Sequence, residues 1–307
     1  MSCNLTVEIA GVSFKNPIFV ASGTFGYGLE TQELTDSSSL GAVITKSITR
    51  HPREGNPPPR IVETPSGMIN SIGLANMGVE RYIDTVIPRI DEIGTAVITN
   101  IAGFSIDDYL YVMEKLEACK APICGYEINI SCPNVEAGRM EFAVDPELTG
   151  RLTESLREVT KKLLIIKLSP NVTGIASIAL AAEQAGADAV SAINTVFGMS
   201  IDTQSRSPYV QTNVGGLSGP AVRPVGIACV YKISRKVNIP IIGIGGITSA
   251  NDAVEYILAG ASVVQVGTAN YKNADTARSM IDELELYLAE NGIENLSELT
   301  GGVIPNE

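Results

Sequence analysis

Eight short apolar runs recur along the chain: Ile18–Ala21, Ala42–Thr45, Ala96–Thr99, Tyr126–Ile130, Leu164–Leu168, Ala189–Ile193, Pro240–Ile244 and Val263–Val266. Each has the length of a buried strand, and the stretches between most of them carry helix signals. Ser105-Ile-Asp-Asp108 opens one helix in the manner of a capping box with Asp in place of Glu. Asp145-Pro146 sets a cap before proline at the first helical position of another. Continuous apolar strands alternating with amphipathic helices imply a parallel sheet covered on its outer face. Eight such units predict an α/β chain folded as a (β/α)8 TIM barrel. Upstream, Leu5 to Phe14 alternates about a turn at Gly11, which predicts an N-terminal hairpin capping one end. Two longer insertions, Arg50–Asn76 and Phe197–Ser218, are expected over the C-terminal face. The first is stiffened by four prolines between Arg50 and Arg60 and reads most simply as a surface excursion. The second is polar and glycine-containing, suited to a lid.

The fourth run changes the picture. In Gly125-Tyr-Glu-Ile-Asn-Ile-Ser-Cys-Pro-Asn134, Tyr126, Ile128 and Ile130 share one face of the strand, and Glu127, Asn129 and Ser131 share the other. Pro133 stops the ladder, leaving a cysteine and two amides at a strand end. Taken alone, Cys132 reads as a buried, inert thiol. The other strand ends argue otherwise, because in a barrel of this kind they converge on the active site. They carry Ser22, Lys46-Ser47, Asn100, Asn129, Lys167, Asn194-Thr195, Gly245-Gly246 and Gly267-Thr268. Two lysines and three asparagines at successive strand ends call for a polar ligand, since unpaired buried polar groups are costly. Gly245-Gly246 and Gly267-Thr268 follow the last two strands, where barrels often bind phosphate through backbone N–H groups. Gly243-Ile-Gly245-Gly-Ile-Thr248 lacks the third glycine of a dinucleotide fingerprint. Within the first insertion, Gly73 can turn consecutive N–H groups toward a carboxylate.

Composition narrows the partners. The chain has 307 residues, 45% of them hydrophobic, and no linker or low-complexity run, so residues 1–307 are expected to form a single domain. A net charge of -12 repels phosphate backbones and anionic membranes, so neither nucleic acid nor membrane is an expected partner. The N-terminus lacks a basic region followed by an apolar run, and no apolar segment has the length of a membrane span; a cytoplasmic location is expected. The five cysteines, Cys3, Cys119, Cys124, Cys132 and Cys229, include no C-x-x-C pair and suggest no disulfide framework. A single histidine, His51, rules out a histidine-based triad or multi-histidine metal site, and no metal is expected.

Together, Asn70-Ser-Ile-Gly-Leu-Ala-Asn76, Glu127-Ile-Asn-Ile-Ser-Cys-Pro-Asn134, Ile166-Lys-Leu-Ser-Pro-Asn171, Ile193-Asn-Thr195, Gly215-Gly-Leu-Ser-Gly-Pro220 and the two terminal glycine motifs resemble the class 1 dihydroorotate dehydrogenases over nearly the whole chain. Ala21-Ser-Gly-Thr-Phe-Gly26 and the run from His51 to Arg60 resemble the NAD-linked subclass, 1B. The resemblance implies FMN on the barrel and oxidation of dihydroorotate to orotate in pyrimidine synthesis. It implies that Ser22, Lys46, Ser47, Asn100, Asn129, Lys167, Ile193, Gly219, Gly245, Gly246, Gly267 and Thr268 hold FMN, the last two pairs taking its phosphate. Lys46, Asn70, Ser71, Ile72, Gly73, Leu74, Asn129, Asn134, Asn194 and Thr195 are implied to hold the pyrimidine and its carboxylate. Amides suit a pyrimidine edge because each offers both a donor and an acceptor.

Two catalytic roles are implied. Cys132, as the thiolate, is the candidate base for the acidic C–H, and Lys167 places positive charge where flavin reduction builds negative charge. Subclass 1B further implies that electrons pass through a [2Fe-2S] cluster and FAD to NAD. This chain lacks a dinucleotide fingerprint, and the spacing Cys119-x4-Cys124 is followed by Glu127 where a plant-type cluster needs cysteine. Cluster and FAD are therefore expected on a partner subunit, with a homodimer of barrels inside a heterotetramer. A fumarate-linked dihydroorotate dehydrogenase and a dihydrouracil-type dehydrogenase are the neighbouring alternatives. A phosphosugar aldolase or isomerase, with Lys167 as Schiff base, is the distant one.

Overall fold

The structure is a computed structural model and describes residues 4–131 and 142–306. Strands β1 (Val7–Ile9) and β2 (Val12–Phe14) pair antiparallel as the N-terminal hairpin. Strands β3 (Ile18–Val20) and β4 (Ala42–Ile44) begin the barrel. An excursion supplies β5 (Ile61–Thr64) and β6 (Gly67–Asn70). The barrel resumes with β7 (Ala96–Ala102), β8 (Gly125–Asn129), β9 (Leu163–Leu168) and β10 (Ala189–Ala192). A second excursion holds β11 (Val196–Gly198), β12 (Ile201–Asp202), β13 (Ser207–Pro208) and β14 (Gly215–Ser218). Strands β15 (Ile241–Ile244) and β16 (Val263–Val266) complete it. The eight barrel strands close in the order β3-β4-β7-β8-β9-β10-β15-β16, every pair parallel. With helices between strands, this is a (β/α)8 TIM barrel, and each of the eight apolar runs is one of its strands.

The helices begin where their side chains cap them. Helix α1 (Val79–Thr85) follows the first excursion, and α2 (Ile106–Ala118) starts at Ser105, whose hydroxyl accepts from the Asp108 N–H at 3.1 Å. The reciprocal bond reaches back one residue further than a capping box does, because Asp108 accepts from the N–H of Phe104. Asp145 caps α3 (Pro146–Val159) by accepting from the N–H groups of Glu147 and Leu148. Helices α4 (Ile175–Gln184), α5 (Arg223–Ser234), α6 (Ala250–Leu258), α7 (Ala269–Lys272) and α8 (Thr276–Glu290) complete the chain.

Side chains inside the barrel change character along its axis. At the N-terminal end Phe19, Ala42, Ile98, Leu163, Ile165, Ala189, Ile242 and Val263 pack with Ile9 and Phe14 of the hairpin into one apolar cluster. The rings of Phe14 and Phe19 lie 4.8 Å apart, so the hairpin plugs this end. Moving two residues along four of the strands replaces apolar side chains by polar ones: Ile98 gives way to Asn100, Ile165 to Lys167, Ala189 to Ser191 and Val263 to Gln265. Alternation keeps these on the inner face, and the outward residues Tyr126, Ile128, Leu164 and Ile166 pack beneath the helices. The two excursions are not independent loops. Strands β5, β6, β14 and β11 form one antiparallel sheet in the order β11-β14-β6-β5, so Phe197–Ser218, expected as a lid, is strand-paired to the first insertion.

Candidate active site

The C-terminal strand ends bring the expected polar side chains into one mouth. Lys167, at the end of β9, is 6% exposed; its ammonium donates to Ser22 Oγ at 3.3 Å and forms an ion pair with Glu127 Oε1 at 3.3 Å. An ammonium has three donors, so one remains for a ligand above it. Asn129, 9% exposed, stands beside Lys167 in the register of β8 and β9. Its Oδ1 accepts from Asn194 Nδ2 at 3.1 Å and from the N–H of Ser131, which turns its amide N–H groups to other use. Asn194 Oδ1 accepts from the N–H of Thr195, fixing the first residues after β10. Asn100 is wholly buried: its Oδ1 accepts from Ser47 Oγ at 2.5 Å and its Nδ2 donates to Glu127 Oε1 at 2.7 Å.

Lys46 is the second amine of the mouth. Its backbone N–H donates to the Gly26 carbonyl at 2.7 Å, and its ammonium has no hydrogen-bond partner among the described residues. Burial lowers its pKa, the positive charge of Arg60 adds to the shift, and Glu30 opposes it. A half-buried ammonium beside another cation favours an anionic ligand, which would repay the desolvation.

The Pro-rich insertion lies at the surface, as expected, and also braces the loop that follows it. Arg53 and Asn76 exchange both backbone hydrogen bonds at 2.9 Å. The Asn56 N–H donates to the Ile72 carbonyl, Asn56 Nδ2 to the Ser71 carbonyl, and the Ser71 N–H to the Arg60 carbonyl. The segment Asn70–Leu74 is thus held from behind, and Asn70 is tied to Gly216 across β6 and β14. Gly73 has φ +74° and Leu74 φ +57°, and the N–H groups of Ile72, Gly73 and Leu74 donate to no acceptor among the described residues. Successive outward N–H groups in such a turn make a concavity for an anion. Ser71 Oγ is buried there without a partner.

The glycine loops form a second cradle. Gly246 has φ +69°, and a Cβ there would stand 2.7 Å from the Gly219 carbonyl and 2.8 Å from the Arg223 nitrogen, so only glycine fits. Tyr256 of α6 donates from its hydroxyl to the Gly245 carbonyl at 2.7 Å; burial pushes its pKa up and keeps it a donor. Thr268 Oγ1 donates to Ser218 Oγ at 2.8 Å, linking the β16 end to the inserted sheet. The N–H groups of Gly245, Gly246, Gly267 and Thr268 donate to no acceptor among the described residues. That set fits a phosphate, and Ile193, 3% exposed, lies beside Gly245. A phosphorylated flavin matches the donor set as a whole: unclaimed N–H groups for its phosphate, and an amine and amides for its polar ring edge.

Every expected site residue among the described ones lies at this face; Cys132 and Asn134 lie outside the described residues. Sequence reasoning passed over Glu127, Ser191 and Gln265 as functional residues. All three are fully buried, and Glu127 accepts from Asn100, Lys167, Ser191 and Gln265 at 2.7 to 3.3 Å. The signal was a polar residue at the centre of an apolar strand, as in Val263-Val-Gln-Val266 and Ala189-Val-Ser-Ala192.

The model of the dihydroorotate dehydrogenase family matches residues 4–288. A protein of Geotalea uraniireducens named dihydroorotate dehydrogenase B (NAD(+)), catalytic subunit, is 47% identical over 302 residues, which is 98% of each chain. Proteins of the same name from a Thermoanaerobacter species and from Desulforudis audaxviator are 45% and 48% identical. Those matches span 98% of this chain and 99% and 98% of the respective relatives.

Proposed function

The chain belongs to the dihydroorotate dehydrogenase family, and from that premise we propose that it is the FMN-carrying catalytic subunit of an NAD-linked, class 1B enzyme. It oxidises dihydroorotate to orotate. The single observation that carries this reading is that the C-terminal face carries two separate sets of backbone N–H groups without acceptors among the described residues, Ile72–Leu74 and Gly245–Gly246 with Gly267-Thr268, alongside Lys46, Lys167 and amides. One cradle suits a carboxylate on the substrate and the other the phosphate of FMN.

When bound, FMN supplies the hydride acceptor, and the chain supplies everything else. Lys46 and the N–H groups of Ile72 to Leu74 hold the substrate carboxylate. Asn70, Asn129, Asn134, Asn194 and Thr195 read the donors and acceptors of the pyrimidine edge, which fixes the ring against rotation. Cys132, as thiolate, takes the proton from the carbon beside the ring carbonyl. Lys167 would help hold the cofactor's polar edge and supply positive charge there, against the negative charge that its reduction builds. Ser22, Ser47, Asn100, Ile193 and Gly219 line the rest of the cofactor site. Lys167 Nζ is engaged by Glu127 Oε1 at 3.3 Å and Ser22 Oγ at 3.3 Å, an arrangement that suits the electrostatic role better than attack on a carbonyl.

FAD and the [2Fe-2S] cluster belong to a second subunit, reached across the barrel mouth, in a heterotetramer built on a barrel dimer. Residues 1–307 act as one domain. No helix among the described residues is long and apolar enough to cross a membrane, in keeping with a cytoplasmic enzyme. The test is the visible spectrum of the purified protein. A yellow flavin spectrum that bleaches on anaerobic addition of dihydroorotate is the expected result; a colourless protein that also fails to take up added FMN refutes the reading.

A further inference from the structure

Glu127 is a carboxylate with 0% exposure, one layer below the side chains of the mouth. Its two oxygens receive four donors: Asn100 Nδ2 at 2.7 Å and Lys167 Nζ at 3.3 Å on Oε1, Ser191 Oγ at 2.9 Å and Gln265 Nε2 at 2.8 Å on Oε2. These come from four different strands, β7, β9, β10 and β16, so the carboxylate ties most of the barrel's circumference to one point. Apolar residues already fill the layer beneath, and a buried ion pair is by itself weak evidence for a stabilising role. Of its four partners, two, Lys167 and Asn100, also belong to the cofactor-facing set.

We propose that Glu127 is a positioning residue which, touching neither cofactor nor substrate, holds Lys167 and Asn100 in place and sets the redox potential of the bound flavin by offsetting the lysine's charge. The proposal rests on the FMN reading above. A lone ammonium near a bound flavin would stabilise the reduced, more negative form strongly; a carboxylate 3.3 Å from that ammonium weakens its field. The potential then follows from the pair. Asn100, pinned between Ser47 and Glu127, is held in one orientation by the same carboxylate.

The Glu127→Gln change isolates the charge. Gln keeps the volume, and the neighbours can adapt: the Ser191 hydroxyl can accept, and Gln265 can turn its amide so that Oε1, now buried without a partner, receives a bond. The holoenzyme with Glu127→Gln should retain FMN. Its flavin potential, from an anaerobic dye-coupled titration, should move positive by about tenfold in the reduction equilibrium, about 30 mV for a two-electron couple. Glu127→Asp, which keeps the charge, should stay nearer the wild type. An unchanged potential in a flavin-loaded Glu127→Gln variant overturns the proposal. Should that variant fail to fold, Lys167→Met is compared with Lys167→Met/Glu127→Gln. The double variant should then lie positive of the single one, and equal potentials overturn the proposal. Wild-type protein that takes up no flavin sinks the underlying FMN reading instead, whatever Glu127 does.

Discussion

Burial depresses the Lys46 pKa, so the folded chain holds this proton less tightly than the unfolded chain does. The group therefore lowers stability below its folded pKa, and stability recovers as pH rises from there toward the ordinary 10.5. A bound carboxylate opposes the shift, which makes binding depend on the charge. Orotate affinity should fall as pH rises, beginning below 10.5. Lys46→Met should bind roughly 10- to 100-fold more weakly at neutral pH, since a hydrogen bond to a charged group is worth roughly 1.5–3 kcal/mol. Fluorescence titration of the flavoprotein with orotate across pH measures both, and a pH-independent wild type counts against the assignment. Cys132 is tested at the same scale. Cys132→Ser should keep FMN and orotate binding while stopped-flow flavin reduction slows by roughly two to four orders of magnitude, the usual worth of a positioned base. Near-normal reduction at neutral pH removes Cys132 from the mechanism.

Among the elements, the inserted sheet matters most to the site because it joins two segments far apart in sequence. Its pairing of β6 with β14 sets Asn70 opposite Gly216, and a Cβ on Gly216 would stand 2.0 Å from Thr195 Oγ1. The Asn70–Leu74 segment is also tight at Gly73, where a Cβ would approach the Asn56 backbone nitrogen at 2.6 Å with φ at +74°. Gly73→Ala thus combines a left-handed cost of roughly 1–2 kcal/mol with overpacking of roughly 1–3 kcal/mol. Strain of that size within one loop is relieved by shifting the loop, so orotate binding should fall at least about tenfold while the flavin spectrum is retained. Thermal melts together with orotate titration separate the effects; a lowered Tm with unchanged orotate affinity would show that the loop does not hold substrate.

For the whole molecule, the testable property is what the chain cannot do alone. The described residues hold no cluster of potential metal ligands, and Cys119, Cys124 and Cys229 are free thiols set apart from the barrel mouth. Burial raises the Cys124 pKa to about 12 and raises that of Cys229 as well, which makes both poor thiolate ligands. The isolated, FMN-loaded chain should reduce artificial dyes with dihydroorotate and leave NAD unreduced until an iron–sulfur/FAD subunit is added. Steady-state assays with and without that subunit decide it. Rapid NAD reduction by the chain alone refutes the need for a partner, and rapid fumarate reduction moves the enzyme to the other subclass.

The eight strands, the hairpin and the polar strand ends were legible in the sequence because each rests on local information: apolar runs of strand length, glycine turns, caps and the two-residue alternation. Strand-end chemistry could be read because closure of a barrel brings all its C-terminal ends together, whatever the details of packing. The partners of those side chains depended on something else. Glu127 occupies a polar position of its strand like Asn129, and nothing local shows that four strands will turn donors onto it. The Pro-rich run read as a surface excursion and is one, with no residue from His51 to Arg60 buried; that it also braces the next loop was not legible, because the bracing consists of backbone bonds to residues 11 to 23 positions away. The strand pairing within Phe197–Ser218 was likewise not legible, because a short, glycine-rich strand has little pattern of its own and becomes a strand through pairing with β6. Periodicity determined which residues face inward; the closed, three-dimensional arrangement alone decided which of them meet, because those contacts depend on distances between strands and not along them.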